Sequence, residues 1–288
     1  MSQKHDHRSS AEQPDEVGQT METDEKETGM PTQEVPLPSS HDSMTRDTVL
    51  AACQVKSWRP DPAALLSFGE DEHASATEVF RALRSRLFQL QRNSPLKSIL
   101  VTSAVANEGR SFVALNLAQV LALQPECRVL LIDADLRSPR LHSMLGTASR
   151  PGFSEYLLQE VEEFGVLQRG EAANLFFIPS GRAVATPTEL IANNRLRLLI
   201  DQVDPLFDWI IVDSPAALPV SDAGLLANYC EGVLMVVRSH STPFDLVRKA
   251  RERFREESLV GVVLNEMHPD PKPPRRFWGK RRNSNHAH

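Results

Sequence analysis

The chain has 288 residues and a formal net charge of −6, a balance that argues against general nucleic-acid binding. Its three cysteines, Cys53, Cys127 and Cys230, form neither a metal-binding nor a redox spacing, which suits a reducing cytosol. The sequence contains no run of the ~18–20 apolar residues that cross a bilayer and no secretory signal, so a cytoplasmic location is expected.

The first part of the chain is acidic. Residues 1–48 hold eleven Asp or Glu against four Lys or Arg and contain no Phe, Trp or Tyr. Such a composition cannot bury enough apolar surface to offset chain entropy, so it predicts a disordered segment. Residues 49–73, with two prolines and Gly69, are expected to form an irregular linker.

A helix is predicted over 74–92, because apolar residues recur there at steps of three and four. The predicted stripe consists of Val79, Leu83, Leu87 and Leu90. Thr77 or Ser75 is expected to cap the start of the helix.

From about residue 97 the pattern becomes strand, loop, helix, repeated. Strands are predicted at 98–103, 128–134, 175–180, 208–214, 232–237 and 259–265, and helices at 111–123, 187–203, 220–229 and 242–257. Each strand is a continuous apolar run, which indicates burial on both faces. The sequence therefore predicts an α/β fold with a mostly parallel, doubly wound sheet covered by helices, in which Cys127 and Cys230 are small core residues.

Right-handed crossovers bring the C-terminal ends of parallel strands to one edge of the sheet, where open α/β sheets bind ligands. Polar residues follow the predicted strands at that edge. They are the loop 104–111, then Asp133 and Asp135, and then Asp213.

The loop VTSAVANEGRSF, residues 101–112, has the outline of a phosphate-binding loop between a strand and a helix. The motif is G-x-x-x-x-G-K-[ST], whose main-chain N–H groups surround the phosphates. Gly109 and Ser111 match it, whereas Ala104 replaces the first glycine and Arg110 replaces the lysine. Asn107 is acceptable within the loop, because asparagine tolerates positive φ.

Arg110 keeps the positive charge of the lysine but carries a broad, planar fork instead of a compact point charge. We therefore expect nucleotide binding that is retained but weaker, and hydrolysis that is reduced more than binding. The alternative is that the loop only connects a strand to a helix.

Carboxylates are needed near such a loop to hold Mg²⁺ and to orient the nucleophile. Ser111 and Asp213 are expected to hold the metal, and Asp135 would complete its coordination shell. Asp133 is expected to position the attacking group. The alternative is that these are ordinary polar residues where strands run into loops.

Taken together, the motifs resemble those of the bacterial tyrosine kinases of capsular and exopolysaccharide systems (BY-kinases), which are P-loop ATPases related to the MinD/ParA group. The resemblance covers about 74–268. It rests on the loop VTSAVANEGRS, on VLLIDADLRSPRLH (129–142), on IIVDSP (210–215) and on PSGRAVATPTELI (179–191).

This resemblance implies an ATPase-type site that uses ATP and Mg²⁺. It implies catalytic roles for Asp133 and Arg110. It places nucleotide contacts at Asn107, Glu108, Gly109, Arg110, Ser111 and Asn265, and metal contacts at Ser111, Asp135 and Asp213.

The stretch EVFRALRSRL (78–87) resembles a family element through which subunits dock in rings. The resemblance therefore implies a homo-oligomer formed through Glu78, Arg81 and Arg84. The alternative is an exposed helix face.

Two features depart from the family. The loop lysine is missing, and so is the C-terminal tyrosine cluster, since the chain has only Tyr156 and Tyr229 and neither lies after residue 268. The sequence also carries no membrane-spanning half, and so it resembles the stand-alone members that work with a membrane partner of the chain-length-determinant class.

Residues 269–288 are basic and rich in proline near their start. They form either a solvated tail or a contact with an anionic lipid surface or an acidic partner, in which Phe277 and Trp278 would be apolar anchors. The second interpretation would bring the protein to the inner face of the membrane.

The first functional hypothesis is thus an ATP-binding, BY-kinase-like regulator of exopolysaccharide synthesis or export with weak or lost catalysis. A second hypothesis is a pseudokinase scaffold that docks the membrane chain-length-determinant protein. A third is a positioning ATPase of the MinD/ParA type, which is disfavoured because 101–109 contain no lysine.

Overall fold

The computed structural model describes residues 53–66, 74–170 and 174–266. The predictions for 1–48 and for 269–288 therefore lie outside the described residues. No helix in the described ranges is long and apolar enough to span a bilayer.

The described residues form one sheet of eight strands, in the spatial order β1-β4-β5-β3-β6-β2-β7-β8. The strands are β1 Gln54–Val55, β2 Ser98–Ser103, β3 Val129–Asp133, β4 Gln168–Arg169, β5 Leu175–Ile178, β6 Trp209–Asp213, β7 Gly232–Arg238 and β8 Leu259–Asn265. All neighbouring pairs are parallel except β4 and β5, which are antiparallel. The predicted mostly parallel sheet is confirmed.

Helices connect the strands and cover the sheet on both faces. They are α1 Ala74–Asn93, α2 Arg110–Ala122, α3 Leu141–Leu145, α4 Phe153–Leu157, α5 Pro187–Ile191, α6 Arg195–Val203, α7 Asp222–Ala227 and α8 Phe244–Arg251. Three 3₁₀ turns cover Glu163–Gly165, Asp204–Leu206 and Glu256–Ser258.

Two apolar clusters cover the two faces, because successive side chains of a strand point to opposite sides. In β2, Ile99 packs with α1 and α2 on one face, whereas Leu100 packs with α4, α6 and α7 on the other. Cys127 and Cys230 are buried in these clusters as predicted. The fold is the doubly wound α/β arrangement that the apolar runs predicted.

The predicted apolar stripe of α1 is wrong at its first position. Val79 is 62% exposed, whereas its neighbour Phe80 is 7% exposed and packs edge-on against Phe112 of α2. The apolar part of the buried face therefore starts at Phe80 and continues through Leu83, Leu87 and Leu90. The predicted caps are also wrong, because the helix begins at Ala74 and both Ser75 and Thr77 lie inside it.

Two further predictions needed correction. The helix predicted over 187–203 is two helices, because Asn194 adopts a left-handed conformation with φ 63° and ends the helical path between α5 and α6. Strand β8 is not buried on both faces. It pairs only with β7 among the described strands, and Val262 and Leu264 are about half exposed.

Part of the predicted linker packs against the domain. Residues 53–66 contribute β1, and Trp58 meets Phe177 edge-on at 6.3 Å between ring centroids. The buried Asn116 of α2 donates to the Ala64 carbonyl at 2.9 Å and accepts from the Leu66 amide at 2.8 Å. The apolar side chains and the Asn116 amide explain why this stretch is ordered despite its prolines.

Candidate functional site

The loop between β2 and α2 has the backbone of a phosphate cradle. Asn107 has φ 63°, and Gly109, which precedes α2, has φ 91°. A methyl group at Gly109 would overlap the side-chain amide of Asn265, so glycine is required there both by conformation and by space. Loop amides in such alternating conformations, together with the start of a 13-residue helix, form a concave anion site.

Glu108 and Asn265 hold the loop in shape. The Glu108 side chain is buried and accepts from the Val105 amide at 2.8 Å and from the Thr242 hydroxyl at 2.6 Å. Asn265, at the end of β8, donates to the Glu108 carbonyl at 2.9 Å. These two residues were predicted to contact nucleotide. Their side chains here bond to the protein, and a direct ligand contact stays a prediction.

Asp133 and Asp213 end the neighbouring strands β3 and β6 at the same level, and both are fully buried. Asp133 accepts from the Leu141 amide at 3.1 Å. Its other oxygen and both oxygens of Asp213 form no hydrogen bond with good geometry to any described residue. Three buried carboxylate oxygens without a well-aligned hydrogen bond indicate that this edge of the sheet does more than pack.

Burial and the nearby carboxylates perturb both acids. Burial raises the pKa of Asp133 well above its ordinary value, and the charge of Asp213 raises it further. Burial also raises the pKa of Asp213 to about 7, although the nearby Ser111 hydroxyl and the Arg110 guanidinium act to lower it. The pair therefore takes up protons far more readily than exposed aspartates do.

Arg110 points into the protein. Its Nε donates to the Ser214 carbonyl at 2.9 Å, and its Nη1 donates to the Ser103 hydroxyl at 2.9 Å and to the Val105 carbonyl at 3.2 Å. Its Nη2 lies 3.4 Å from Asp135. With only 12% of its side chain exposed, Arg110 cross-links the ends of three strands from inside the cradle.

Asp135 is fully engaged by the protein. One oxygen accepts from the amides of Arg137 and Ser138 at 3.2 and 2.9 Å, and the other faces Arg110. The structure thus places Asp135 with Arg110, whereas Asp213 lies near Ser111.

The donor set fits Mg²⁺ at Asp213 and Ser111. Asp213 offers two buried oxygens that form no well-aligned hydrogen bond to a described residue, and Mg²⁺ commonly binds one or two carboxylates together with phosphates and water. Both oxygens of Asp135 face donors of the protein, and a metal contact at Asp135 stays a prediction. In the described ranges no three His, Cys, Asp or Glu side chains are grouped as a ready-made metal site.

A pocket of about 280 Å³ opens beside the cradle. It is lined on one side by the loop and the first turn of α2, and on the other by Arg140, Met144 and Glu266. Arg140 precedes α3 and is exposed. The sequence analysis gave it no role of its own, although it lies within the stretch VLLIDADLRSPRLH (129–142).

A second group missed by the sequence analysis supports the turn after β3. Arg137 donates to the fully buried Asp222 at 2.7 Å and to the Thr188 hydroxyl at 2.8 Å. Asp222 also accepts from Thr188 at 2.5 Å. These three side chains tie the Asp135 turn to the starts of α5 and α7.

The predicted oligomer contact lies on α1. Glu78 and Arg81 approach within 3.6 Å, with side chains 70% and 43% exposed. Arg84 donates to the Val120 carbonyl of α2 at 3.2 Å, so part of this element serves the fold of its own chain.

Known proteins are similar to this chain in sequence. The tyrosine-protein kinase YwqD of Bacillus subtilis is 31% identical over 191 residues, which are 66% of this chain and 80% of that protein. The succinoglycan biosynthesis transport protein ExoP of Rhizobium meliloti is 34% identical over 194 residues, and the match spans only 25% of its length. No protein-family model matches the chain.

A solved structure is similar as well. The kinase domain of the Escherichia coli tyrosine kinase ETK superposes with a TM-score of 0.66 at 30% identity, over 70% of this chain and 80% of that domain. The sequence match and the fold match thus each cover about two thirds of the chain, and the relatives indicate a nucleotide-using P-loop protein. The chain belongs to the bacterial tyrosine-kinase (BY-kinase) family.

Proposed function

We propose that this chain binds ATP at the β2–α2 loop and regulates exopolysaccharide synthesis or export, with catalysis that is weak or lost. Support for the process comes from the ExoP relative, whose name refers to succinoglycan biosynthesis and transport. The single observation that carries the catalytic part is the position of Arg110, whose guanidinium is bonded to four acceptors of the protein itself.

In this proposal the main-chain amides of the loop hold the phosphates. Ser111 and Asp213 would hold Mg²⁺, which neutralises phosphate charge when bound. Asp133 stands beside them as the proton acceptor for the attacking group, a role that its raised pKa favours. A lysine in place of Arg110 would be free to follow a phosphoryl group, whereas the arginine fork is held by Ser214, Ser103 and Asp135.

The proposal extends to partners and place. The chain would act at the inner face of the membrane beside a chain-length-determinant protein, and it would assemble through Glu78, Arg81 and Arg84. The exposed side chains of Glu78 and Arg81 support an intermolecular role. The N-terminal acidic segment (1–48), the linker (49–73), the ATP-binding domain (74–268) and the basic tail (269–288) remain the proposed division of the chain.

An isotope-release assay with labelled ATP tests the catalytic part. Wild type should release phosphate slowly, and Arg110→Lys should raise the rate by about tenfold, which corresponds to about 1.4 kcal/mol of barrier. Arg197→Ala, on α6 and 66% exposed at its side chain, should leave the rate unchanged. If Arg110→Lys restores nothing, the loop is not catalytic in this chain.

A pseudokinase scaffold is the second candidate, and the state of the tyrosines favours it. Tyr156 is 1% exposed and hydrogen-bonded to the Arg195 carbonyl, so it is not accessible to a kinase. Tyr229 is only partly exposed. In the scaffold case, calorimetry would record no heat at millimolar ATP, whereas the first proposal requires binding.

A further inference from the structure

A phosphate site needs a positive charge that can reach its ligand, and Arg110 does not provide one. Its fork donates to Ser214, Ser103 and Val105 and faces Asp135. Arg110 also lines the pocket, but its fork is turned toward the protein, and its ion pair with Asp135 is largely shielded from solvent, since the two side chains are 12% and 5% exposed. The loop arginine is therefore a structural cation.

Arg140 lines the same pocket, but unlike Arg110 its side chain is exposed and not bonded to the described part of the protein. It is exposed, lines the same pocket as Gly109 and Ser111, and its guanidinium has no hydrogen bond or ion pair to any described residue. The other charged residue on that side, Glu266, is paired with Arg238. The charge of Arg140 is therefore not neutralised by its neighbours in the pocket wall.

The backbone that carries Arg140 is fixed. Its carbonyl accepts from the Met144 amide at 3.0 Å and from the Ser143 hydroxyl at 2.8 Å. The next residue, Leu141, is fully buried and donates its amide to Asp133. A guanidinium on such a support can form paired hydrogen bonds to a phosphate without a large cost in main-chain ordering.

We propose that Arg140, and not Arg110, is the cation that contacts the phosphates of the bound nucleotide. This inference rests on the proposed nucleotide binding and names a residue that the P-loop pattern does not contain. In this chain Arg110 holds the strand ends together, and Arg140 supplies the charge that faces the ligand.

The test is a calorimetric titration of the full chain with ATP and with ADP, each in the presence of Mg²⁺. The proteins compared are wild type, Arg140→Ala, Arg140→Lys and the control Arg197→Ala, a change on the exposed side of α6. Arg140→Ala should raise both Kd values by about tenfold or more, as expected for the loss of charge-assisted contacts to phosphate. Arg140→Lys should recover most of that loss, and Arg197→Ala should bind as wild type does.

Salt gives a readout that a structural role for Arg140 would not move. The wild-type Kd should rise with ionic strength more steeply than the Arg140→Ala Kd, because an exposed charge contact is screened. If wild type binds and Arg140→Ala binds equally well, the assignment of Arg140 is wrong while nucleotide binding stands. If wild type itself binds neither nucleotide, the proposed function falls, and the role of Arg140 falls with it.

Discussion

Asp133 and Asp213 stand opposite each other at the ends of β3 and β6, in register and with both side chains fully buried. Placing two carboxylates side by side without a bound cation costs stability, since burial and mutual repulsion disfavour the charged forms. The cost is understandable if the site evolved to hold a cation with its anionic ligand. Because this cost depends on the protonation of the two carboxyl groups, it can be measured as a change of stability with pH.

The first prediction concerns stability and pH. A carboxyl whose pKa is raised in the folded state favours folding at low pH, and this contribution is lost as pH rises through the folded pKa. For Asp213 the loss runs from about its ordinary value of 3.8 to about 7. Asp213→Asn removes this pH-dependent loss of stability. The melting temperature of the variant should therefore exceed that of wild type by an amount that grows from about pH 3.8 to about pH 7. Each kcal/mol corresponds to about 2–4 °C for a domain of this size.

The measurement is thermal unfolding of the nucleotide-free, metal-free protein across that range. Asp245→Asn, at a side chain that is 77% exposed, is the matched control and should show no such growth. An Asp213→Asn variant that is no more stable than wild type above pH 7 would show that the buried Asp213 carboxylate does not destabilise the folded protein.

A second prediction compares two glycines. Gly109→Ala forces a methyl group into the Asn265 amide at φ 91°, so it should distort the cradle and abolish detectable ATP binding. Gly224→Ala, inside α7, adds a methyl group whose nearest neighbour is the Arg253 carbonyl at 4.0 Å. This control should keep its ATP affinity and gain up to about 1 kcal/mol of stability from helix propensity. ATP binding by Gly109→Ala with wild-type affinity would show that the cradle is not the nucleotide site.

The sequence predicted those parts of the fold in which the pattern is long and local. Strands β2, β3 and β6 each contain an uninterrupted apolar run and are fully buried, so their type and order could be predicted directly. Strands β1 and β4 have two residues each and no pattern of their own. They form because segments that are distant in sequence pair with each other in the folded chain, and no local sequence pattern predicts that pairing.

The site was predictable in its residues but not in its contacts. Chain order brings Asp133, Asp213 and the loop to one edge of any parallel sheet. Where the Arg110 fork points depends on distances to Ser103 and Ser214, which belong to different strands, and no local pattern encodes those distances. The exposed Arg140 was missed for the same reason.

A third prediction concerns the packed segment 53–66. Asn116→Ala removes three hydrogen bonds, to Ala64, Leu66 and Phe112, and leaves buried main-chain groups without partners. The free energy of unfolding should fall by about 1–3 kcal/mol. Hydrogen exchange of the amides at 61–66 should accelerate as the segment detaches.

Asn93→Ala is the control for this change, since Asn93 is exposed and forms one bond to the Gln89 carbonyl. It should alter stability by less than about 0.5 kcal/mol. Unchanged exchange at 61–66 in Asn116→Ala would mean that Asn116 does not hold the segment in place.

The most direct measurement of the central claim is a calorimetric titration of the full chain and of Asp213→Asn with ATP, with and without Mg²⁺. If the cradle and the Asp133–Asp213 pair form one nucleotide site, wild type binds ATP and Mg²⁺ strengthens the binding, whereas Asp213→Asn loses the strengthening by Mg²⁺. The absence of any binding heat from wild type at millimolar ATP with Mg²⁺ would contradict the claim.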